Sequence, residues 1–137
     1  MPTSRPLPVL RADRLRSPPR SFAWLDHRLR SGGFLAQLTA EEIALYSFLA
    51  LAADGQGLSC WRLDRIEREL PLDVPALRRA REGLLHTDLL AFQPWNAHCQ
   101  DGSYQVLALP APAPAPQRGT GPVPLGAVLS TLGGRGR

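Results

Sequence analysis

The sequence predicts a small α+β domain, mainly α, in which three helices precede a two-stranded β-hairpin and both termini are disordered. Three observations lead to this fold class. Leucine-rich segments with helical spacing fill residues 39–87, two short apolar segments joined by a turn signal follow them, and both ends of the chain are rich in proline, arginine or glycine. A chain of 137 residues has room for one such domain and its appendages.

The central helix has the clearest signature. Thr39 and Glu42 have the spacing of a capping box, in which each side chain accepts a hydrogen bond from the backbone N–H of the other residue. The segment from Ile43 to Leu51 is apolar on nearly all sides, which is typical of a helix in the middle of a core. Asp54 and the glycine after it predict the end of this helix.

A shorter helix is expected before the central one. Phe22, Leu25 and Leu29 are spaced i, i+3, i+7, so they would share one face, and a pair of glycines follows them. We take this segment as the start of a folded domain over residues 21–110. Residues 1–20 contain much proline and arginine and little to bury, which predicts a disordered basic arm.

A second core helix is predicted from Ser59, which is suited to cap its N-terminus. Leu63, Ile66 and Leu70 fall on one face of this helix, and arginines alternate with acidic residues on the other. The proline that follows Leu70 would end it.

The third core helix follows after a turn of three or four residues. Asp73 is suited to be its N-cap, and Pro75 fits its first turn. The backbone N–H groups of the first turn have no acceptor within the helix, so a proline there costs no hydrogen bond. The leucine spacing continues to about Thr87. The residues expected to face the core are Leu77, Ala80, Leu84 and Leu85.

Two β-strands are expected after the helices. The segments from Leu89 to Trp95 and from Ser103 to Leu109 are short and apolar. Between them, Asp101 and the glycine after it form a turn signal. The sequence therefore predicts a hairpin with a loop of about seven residues.

The order helix, helix, short turn, helix, hairpin is that of a winged helix-turn-helix domain, with a three-helix core and a two-stranded hairpin wing. Residues 34–109 resemble the winged-helix domains of small bacterial DNA-binding proteins, and are similar to the amino-terminal domain of DnaD-like and plasmid replication-initiation proteins. The resemblance is carried by the capped apolar helix, the "DGQGLS" turn and the "LxxxREGLLHTDLL" ending. One departure is Asp88, where many such domains have glycine; aspartate tolerates a left-handed backbone better than most residues.

The resemblance implies a noncatalytic DNA-binding protein in replication initiation of a plasmid or mobile element, or in transcriptional regulation. We therefore expect a bacterial, cytoplasmic, nucleoid-associated protein with duplex DNA as its partner. The first 20 residues have no apolar run of signal-peptide length, and no segment approaches the roughly 18–20 apolar residues of a membrane span. Neither a membrane nor a small-molecule ligand is expected.

The charge is distributed unevenly along the chain. The net charge of +4 favours an anionic partner, and all sixteen basic residues are arginine. Residues 1–30 have seven arginines and two acidic residues, residues 31–110 have six and ten, and residues 111–137 have three and none. The basic excess therefore lies at the two ends. The absence of lysine excludes a Walker-type phosphate loop.

The third helix carries the main candidates for reading DNA. On a helical wheel Arg79 lies opposite the buried leucines, Arg78 lies on a flank, and Arg81 lies close to the apolar stripe, where it must snorkel or pair. An arginine near the start of a recognition helix can donate two hydrogen bonds to guanine. Arginines of the second helix would contact phosphates, and those of the arm would contact phosphates or a minor groove. The predicted DNA-binding residues are Arg78, Arg79, Arg81, His86, Arg62, Arg65, Arg14, Arg16 and Arg20.

The same helix face has a second interpretation. Arg78 and Glu82 are spaced as an ordinary surface pair, Arg79 is then merely solvated, and the net negative charge of residues 31–110 disfavours phosphate binding. On this interpretation the winged helix is a protein–protein adaptor that mediates assembly without reading DNA. The sequence leaves both functions open.

The C-terminal segment supports the adaptor. Residues 111–121 form a Pro/Ala-rich linker, and residues 122–137 form a short amphipathic tail peptide that is too short to be a stable helix alone. Its apolar residues are spaced i, i+3, i+4, i+7, which predicts a peptide that binds a groove of a protein partner or mediates self-association. The alternatives are a frayed tail or docking on the chain's own domain. The apolar residues of the tail peptide are Leu125, Val128, Leu129 and Leu132.

Catalysis and metal binding are not predicted. The sequence has no nucleophile elbow, no glycine-rich phosphate loop and no paired carboxylates, so we expect neither an enzyme nor a cofactor. Cys60, Cys99, His86 and His98 lack the C-x-x-C or H-x-x-x-H spacing of a zinc site.

Overall fold

The computed structural model describes residues 6–110, which form five α-helices and a three-stranded antiparallel sheet. The predicted α+β, mainly helical class is confirmed. The linker and the tail peptide lie outside the described residues. In chain order the elements are α1 (Arg28–Ser31), α2 (Phe34–Gln37), α3 (Ala40–Ala52), β1 (Leu58–Trp61), α4 (Leu63–Glu67), α5 (Val74–His86), β2 (Leu90–Pro94) and β3 (Gly102–Val106).

Helix α3 forms the centre of the domain, as predicted. Its capping box is complete: Thr39 Oγ1 accepts a hydrogen bond from Glu42 N at 3.1 Å, and Glu42 Oε1 accepts one from Thr39 N at 3.0 Å. Leu45 and Leu49 are fully buried, whereas Leu51 is 73% exposed. The helix is therefore buried on most sides but leaves one large apolar side chain in solvent near its C-terminal end.

The helix predicted to begin at Phe22 is much shorter than expected. Only Arg28–Ser31 is helical, and the side chains of Phe22 and Leu25 are largely exposed. The Asp26 carboxylate accepts a hydrogen bond from Arg28 N at 2.8 Å. This local bond satisfies a backbone donor at the start of α1 and competes with helical structure upstream of it.

A strand occupies the place where a helix was predicted to begin at Ser59, so that prediction is wrong. In β1, Ser59 lies opposite Tyr104 of β3. Trp61 packs edge-on against Phe48 of α3, with ring centroids 4.8 Å apart. Pairing with a distant strand and packing on α3 stabilise an extended backbone here, which the local sequence does not reveal.

Helix α4 therefore begins only at Leu63, and its first N–H is capped from a distance. The carboxylate of Asp101, in the loop between β2 and β3, accepts a hydrogen bond from Leu63 N at 2.7 Å. Leu63 and Ile66 are buried, as predicted. The helix ends at Glu67, before the predicted end at Pro71.

Helix α5 begins and ends where it was predicted. The Asp73 carboxylate accepts a hydrogen bond from Ala76 N at 2.9 Å, and a proline occupies the first turn. At the other end the Thr87 hydroxyl donates to the Gly83 carbonyl at 3.1 Å. Because the cap and the proline act within a few residues, the sequence alone places this helix correctly.

The predicted hairpin is confirmed. Leu90 lies opposite Val106 and Pro94 opposite Gly102, which leaves residues 95–101 as the hairpin loop. The strand order is β1-β3-β2, so β3 is the central strand and β1 adds a third strand that the sequence did not predict.

The core lies where the helices meet one face of the sheet. Helix α3 contacts α5, β3 and β1, and α5 also contacts α4 and β2. This is a two-layer arrangement in which each element buries one apolar face. The buried core residues are Leu29, Leu45, Tyr46, Phe48, Leu49, Leu63, Ile66, Leu77, Ala80, Leu84, Leu89, Leu90, Tyr104 and Leu109.

Asp88 joins α5 to β2 in a left-handed conformation, with φ of 64°. Because glycine adopts this conformation without the Cβ strain, we expect Asp88→Gly to raise the free energy of unfolding by about 0.5–1 kcal/mol. Urea denaturation measures the change. Asp88→Ala keeps the Cβ and is expected not to stabilise; equal stability of the two variants would show that the left-handed backbone is not strained.

Candidate nucleic-acid interface

Helix α5 presents a polar face to solvent. Leu77, Ala80 and Leu84 are at most 1% exposed and fix the opposite face of the helix against the core. The helical-wheel prediction for this face is confirmed. The residues exposed on it are Arg78, Arg79, Glu82 and His86.

One of the two exposed arginines is paired. Arg79 Nη2 lies 3.2 Å from Glu41 Oε2 of α3, and the two side chains are 65% and 37% exposed. An ion pair this exposed contributes between zero and about 1 kcal/mol to stability, so the Arg79 guanidinium is held only weakly by Glu41. Arg78 has no carboxylate within ion-pair distance among residues 6–110, so the pair with Glu82 that belongs to the second interpretation of this face does not form there.

Arg81 lies inside the domain, with 5% of the residue exposed. Its Nη1 donates to the Gln100 carbonyl at 2.7 Å and to the Tyr104 hydroxyl at 3.0 Å, and its Nη2 donates to Gln100 Oε1 at 3.1 Å. The guanidinium carbon also lies 4.1 Å from the centroid of the Phe92 ring. Arg81 was predicted to bind DNA, but its guanidinium instead anchors the hairpin loop to α5.

Two residues of the hairpin loop therefore have structural roles that the sequence did not reveal. Gln100 accepts from Arg81, and Asp101 caps α4. The position of Arg81 beside the apolar stripe indicated that it needs a partner, but no local pattern identifies which residue supplies it. Burial raises the pKa of the Tyr104 hydroxyl, and the nearby Arg81 charge lowers it in part, so this phenol stays protonated at neutral pH.

The surface of α4 is nearly neutral. Arg62 Nη2 lies 2.9 Å from Asp64 Oδ2, with both side chains largely exposed. Arg65 is exposed on the same short helix, close in sequence to Glu67. The two arginines predicted to contact phosphates are therefore accessible, and one of them has an acidic neighbour that a phosphate must displace.

In the described part of the basic arm, residues 6–20, every residue is exposed. This part contains one short 3-10 turn, Ala12–Arg14, in which Arg11 forms an ion pair with Asp13 at 2.6 Å. Within residues 6–110, every hydrogen bond made by residues 6–20 has its partner inside the arm itself. The side chains predicted to contact DNA, Arg14, Arg16 and Arg20, are therefore free of the domain surface.

The hairpin carries no permanent positive charge. Residues 82–117 contain neither arginine nor lysine. At the loop, Trp95 is 51% exposed and His98 is also exposed. Any attraction between the hairpin and an anion must therefore come from histidine or from neutral N–H donors of the backbone and of amide and indole side chains.

Residues 6–110 show neither a cluster of metal-binding side chains nor a membrane-spanning helix. No three histidine, cysteine, aspartate or glutamate side chains there are close enough to hold a metal ion, and both cysteines are free thiols. In the same part of the chain, no helix is long and apolar enough to cross a membrane.

Comparisons with known proteins found no match: no protein-family model, no curated protein and no solved structure matches this chain.

Proposed function

We propose that the chain is a noncatalytic winged helix-turn-helix protein that binds duplex DNA. The element order α3, β1, α4, α5, β2, β3 supports this, because a helix-turn-helix with a strand between its first two helices and a hairpin after its third is the arrangement of winged-helix domains. The observation that carries the proposal is the face of α5, where two adjacent exposed arginines lie in the first half of the helix.

On this proposal α5 is the recognition helix. The N-terminal part of such a helix contacts base edges in the major groove, and arginine there donates two hydrogen bonds to guanine. Arg78 is available for this contact, and Arg79 becomes available when it leaves Glu41. His86 lies further along the same face. Arg62, which immediately precedes α4, and Arg65 of α4 would contact the phosphates of the backbone.

The basic arm supplies most of the affinity on this proposal. Residues 31–110 have a net negative charge, so the domain alone gains little from neutralising phosphates. Arg14, Arg16 and Arg20 are exposed and separate from the domain, which suits contact with phosphates or a minor groove. The resemblance to DnaD-like and plasmid replication-initiation proteins extends the proposal to replication initiation or transcriptional regulation in the bacterial cytoplasm.

We expect Arg78→Ala combined with Arg79→Ala to weaken duplex binding by about tenfold or more, since each specific contact to a base contributes about 1–3 kcal/mol. Fluorescence anisotropy of full-length protein with a labelled duplex, over a series of salt concentrations, measures the change. Neutralising Arg14, Arg16 and Arg20 by glutamine should flatten the plot of log affinity against log salt by about three units. Glu41→Gln, which frees Arg79, should strengthen binding.

Arg30→Ala is the matched control, because it removes an exposed arginine from α1, outside the proposed interface. It should leave the affinity nearly unchanged. If Arg78→Ala with Arg79→Ala weakens binding no more than Arg30→Ala does, α5 is not the recognition helix.

The alternative function is a protein–protein adaptor, and the hairpin favours it. A wing that contacts DNA usually needs cations, whereas this hairpin has none and exposes Trp95, a residue type enriched at protein interfaces. If full-length protein binds no duplex at any salt concentration, the adaptor is the better account of the fold.

A further inference from the structure

A groove of about 740 Å³ lies beside the C-terminal half of α3, and we call it the α3 groove. Its walls are the segment of residues 21–28, the turn of residues 54–57 and the chain of residues 106–109 that follows β3. No residue of α4 or α5 lines it. It is therefore separate from the α4 and α5 part of the proposed DNA interface, and one of its walls directly follows the basic arm.

The rim of the α3 groove exposes large apolar side chains. Phe22, Trp24 and Leu51 all line the groove, and they are 69%, 77% and 73% exposed. Single exposed apolar residues are common on protein surfaces, but three around one groove form a patch of the kind that marks an interaction site.

The described chain ends at this groove. Leu107 and Leu109 line its wall, and Pro110 is the last described residue. The remaining 27 residues of the chain, 111–137, therefore start at the rim of the α3 groove. A segment tethered this closely meets the groove at an effective concentration in the millimolar range.

The tail peptide has the chemistry that the groove requires. Its four apolar residues are spaced along one helix face, and a helix of two turns is ordered only against another surface. The linker of residues 111–121, when extended, spans about 34 Å at about 3.1 Å per residue. The extended linker is therefore longer than twice the ~13 Å radius of gyration of a domain of about 100 residues. A linker of this length lets the tail peptide fold back onto the groove.

The charges are complementary as well. Residues 111–137 contain three arginines and no acidic residue. Asp26, Arg28 and Asp54 line the α3 groove, and Arg28 forms an ion pair with Asp26 at 2.7 Å. Asp54 is therefore the carboxylate of this groove that has no ion-pair partner among residues 6–110. Backbone N–H groups of Leu58 and Gln56 lower the pKa of Asp54, and hydrogen bonds from Arg28 lower that of Asp26, so both carboxylates are charged at neutral pH.

We propose that residues 122–137 dock in the α3 groove of their own chain as a short helix that buries Leu125, Val128, Leu129 and Leu132. This inference does not depend on DNA binding. Docking would cover the apolar side chains of the groove rim and order a segment that is too short to fold alone.

A paramagnetic label on the tail tests the proposal in the full-length chain. A nitroxide is attached at Ser130→Cys in a chain that also has Cys60→Ser and Cys99→Ser, and NMR signals of the uniformly ¹⁵N-labelled protein are recorded. We expect strong broadening of the amides of Trp24, Leu51 and Gln56, and weaker broadening in α4, which does not line the groove. An equimolar mixture of ¹⁵N-labelled protein without nitroxide and unlabelled protein with nitroxide should show no broadening.

Variants in the tail and in the groove sharpen the test. Leu129→Asp and Leu51→Asp should each abolish the broadening, and neither changes a residue of the buried core of residues 29–109, since Leu51 is exposed. Thr131→Asp adds the same charge off the apolar face of the tail and should leave the broadening in place. The proposal is overturned by an absence of broadening, by broadening that survives Leu129→Asp, or by broadening in the mixed sample, which would assign the groove to the tail of a second copy.

Discussion

Replacing Arg81 by alanine is expected to lower the free energy of unfolding by about 2–4 kcal/mol. The substitution leaves the buried Tyr104 hydroxyl without its hydrogen-bond donor, removes the contact with the Phe92 ring and opens a cavity between α5 and the hairpin. The loop of residues 95–101 should also exchange its amide hydrogens faster, since Gln100 loses both hydrogen bonds from Arg81.

Urea denaturation and hydrogen exchange together measure this effect. Arg78→Ala is the matched control, because it removes an arginine three positions away that is exposed; its stability should stay within about 0.5 kcal/mol of the native chain. Arg81→Met replaces the arginine by an apolar side chain that fills part of the same space, and its free energy of unfolding should fall between those of Arg81→Ala and Arg78→Ala. If Arg81→Ala is as stable as Arg78→Ala, the desolvation of the guanidinium cancels its hydrogen bonds, and Arg81 does not anchor the loop.

Gly102→Ala is expected to destabilise the domain by about 3 kcal/mol, through a clash that backbone atoms cannot relieve. A Cβ at position 102 would lie 2.1 Å from the Gln93 carbonyl oxygen and 2.8 Å from Pro94 Cα, both in the paired strand β2. Relief requires β2 and β3 to separate at the end of the hairpin, next to the loop that holds Asp101 and Gln100.

Gly55→Ala provides the control for the same chemical change. A Cβ there meets no atom within 4 Å, and the backbone is not left-handed, so we expect no loss and up to about 1 kcal/mol of gain. Thermal denaturation of both variants decides the matter. Equal melting temperatures would mean that the β2–β3 pairing at Gly102 has enough slack to accept a side chain.

The elements that the sequence predicts correctly are those fixed by neighbours in sequence. Thr39 with Glu42, and Asp73 with its proline, determine helix starts within one turn, and Asp88 tolerates the left-handed turn that follows α5. Strand β1 was missed because a four-residue strand is stabilised by its partner β3, more than forty residues later. Likewise Phe22 has a helical spacing, but no surface of the described domain buries it.

The candidate interface was predictable in part for the same reason. Helix periodicity correctly separates Arg78 and Arg79, which are exposed, from the leucines that face the core. Helix periodicity also indicated that Arg81 lies close to the apolar stripe, where its charge must reach solvent or find a partner. It did not indicate that the partner is the hairpin loop, because the contact of Arg81 with Gln100 depends on the register of β2 and β3.

The hydrogen bond from Leu63 to Asp101 has a consequence for the order of folding. The two residues are 38 positions apart, and α4 has only five residues, too few to persist before tertiary contacts form. Helix α4 is therefore expected to appear late, after the hairpin has closed and brought Asp101 to it, whereas α3 and α5 carry their own caps and can nucleate early. In the native state the same bond couples the fraying of α4 to the opening of the hairpin loop, because either movement breaks it.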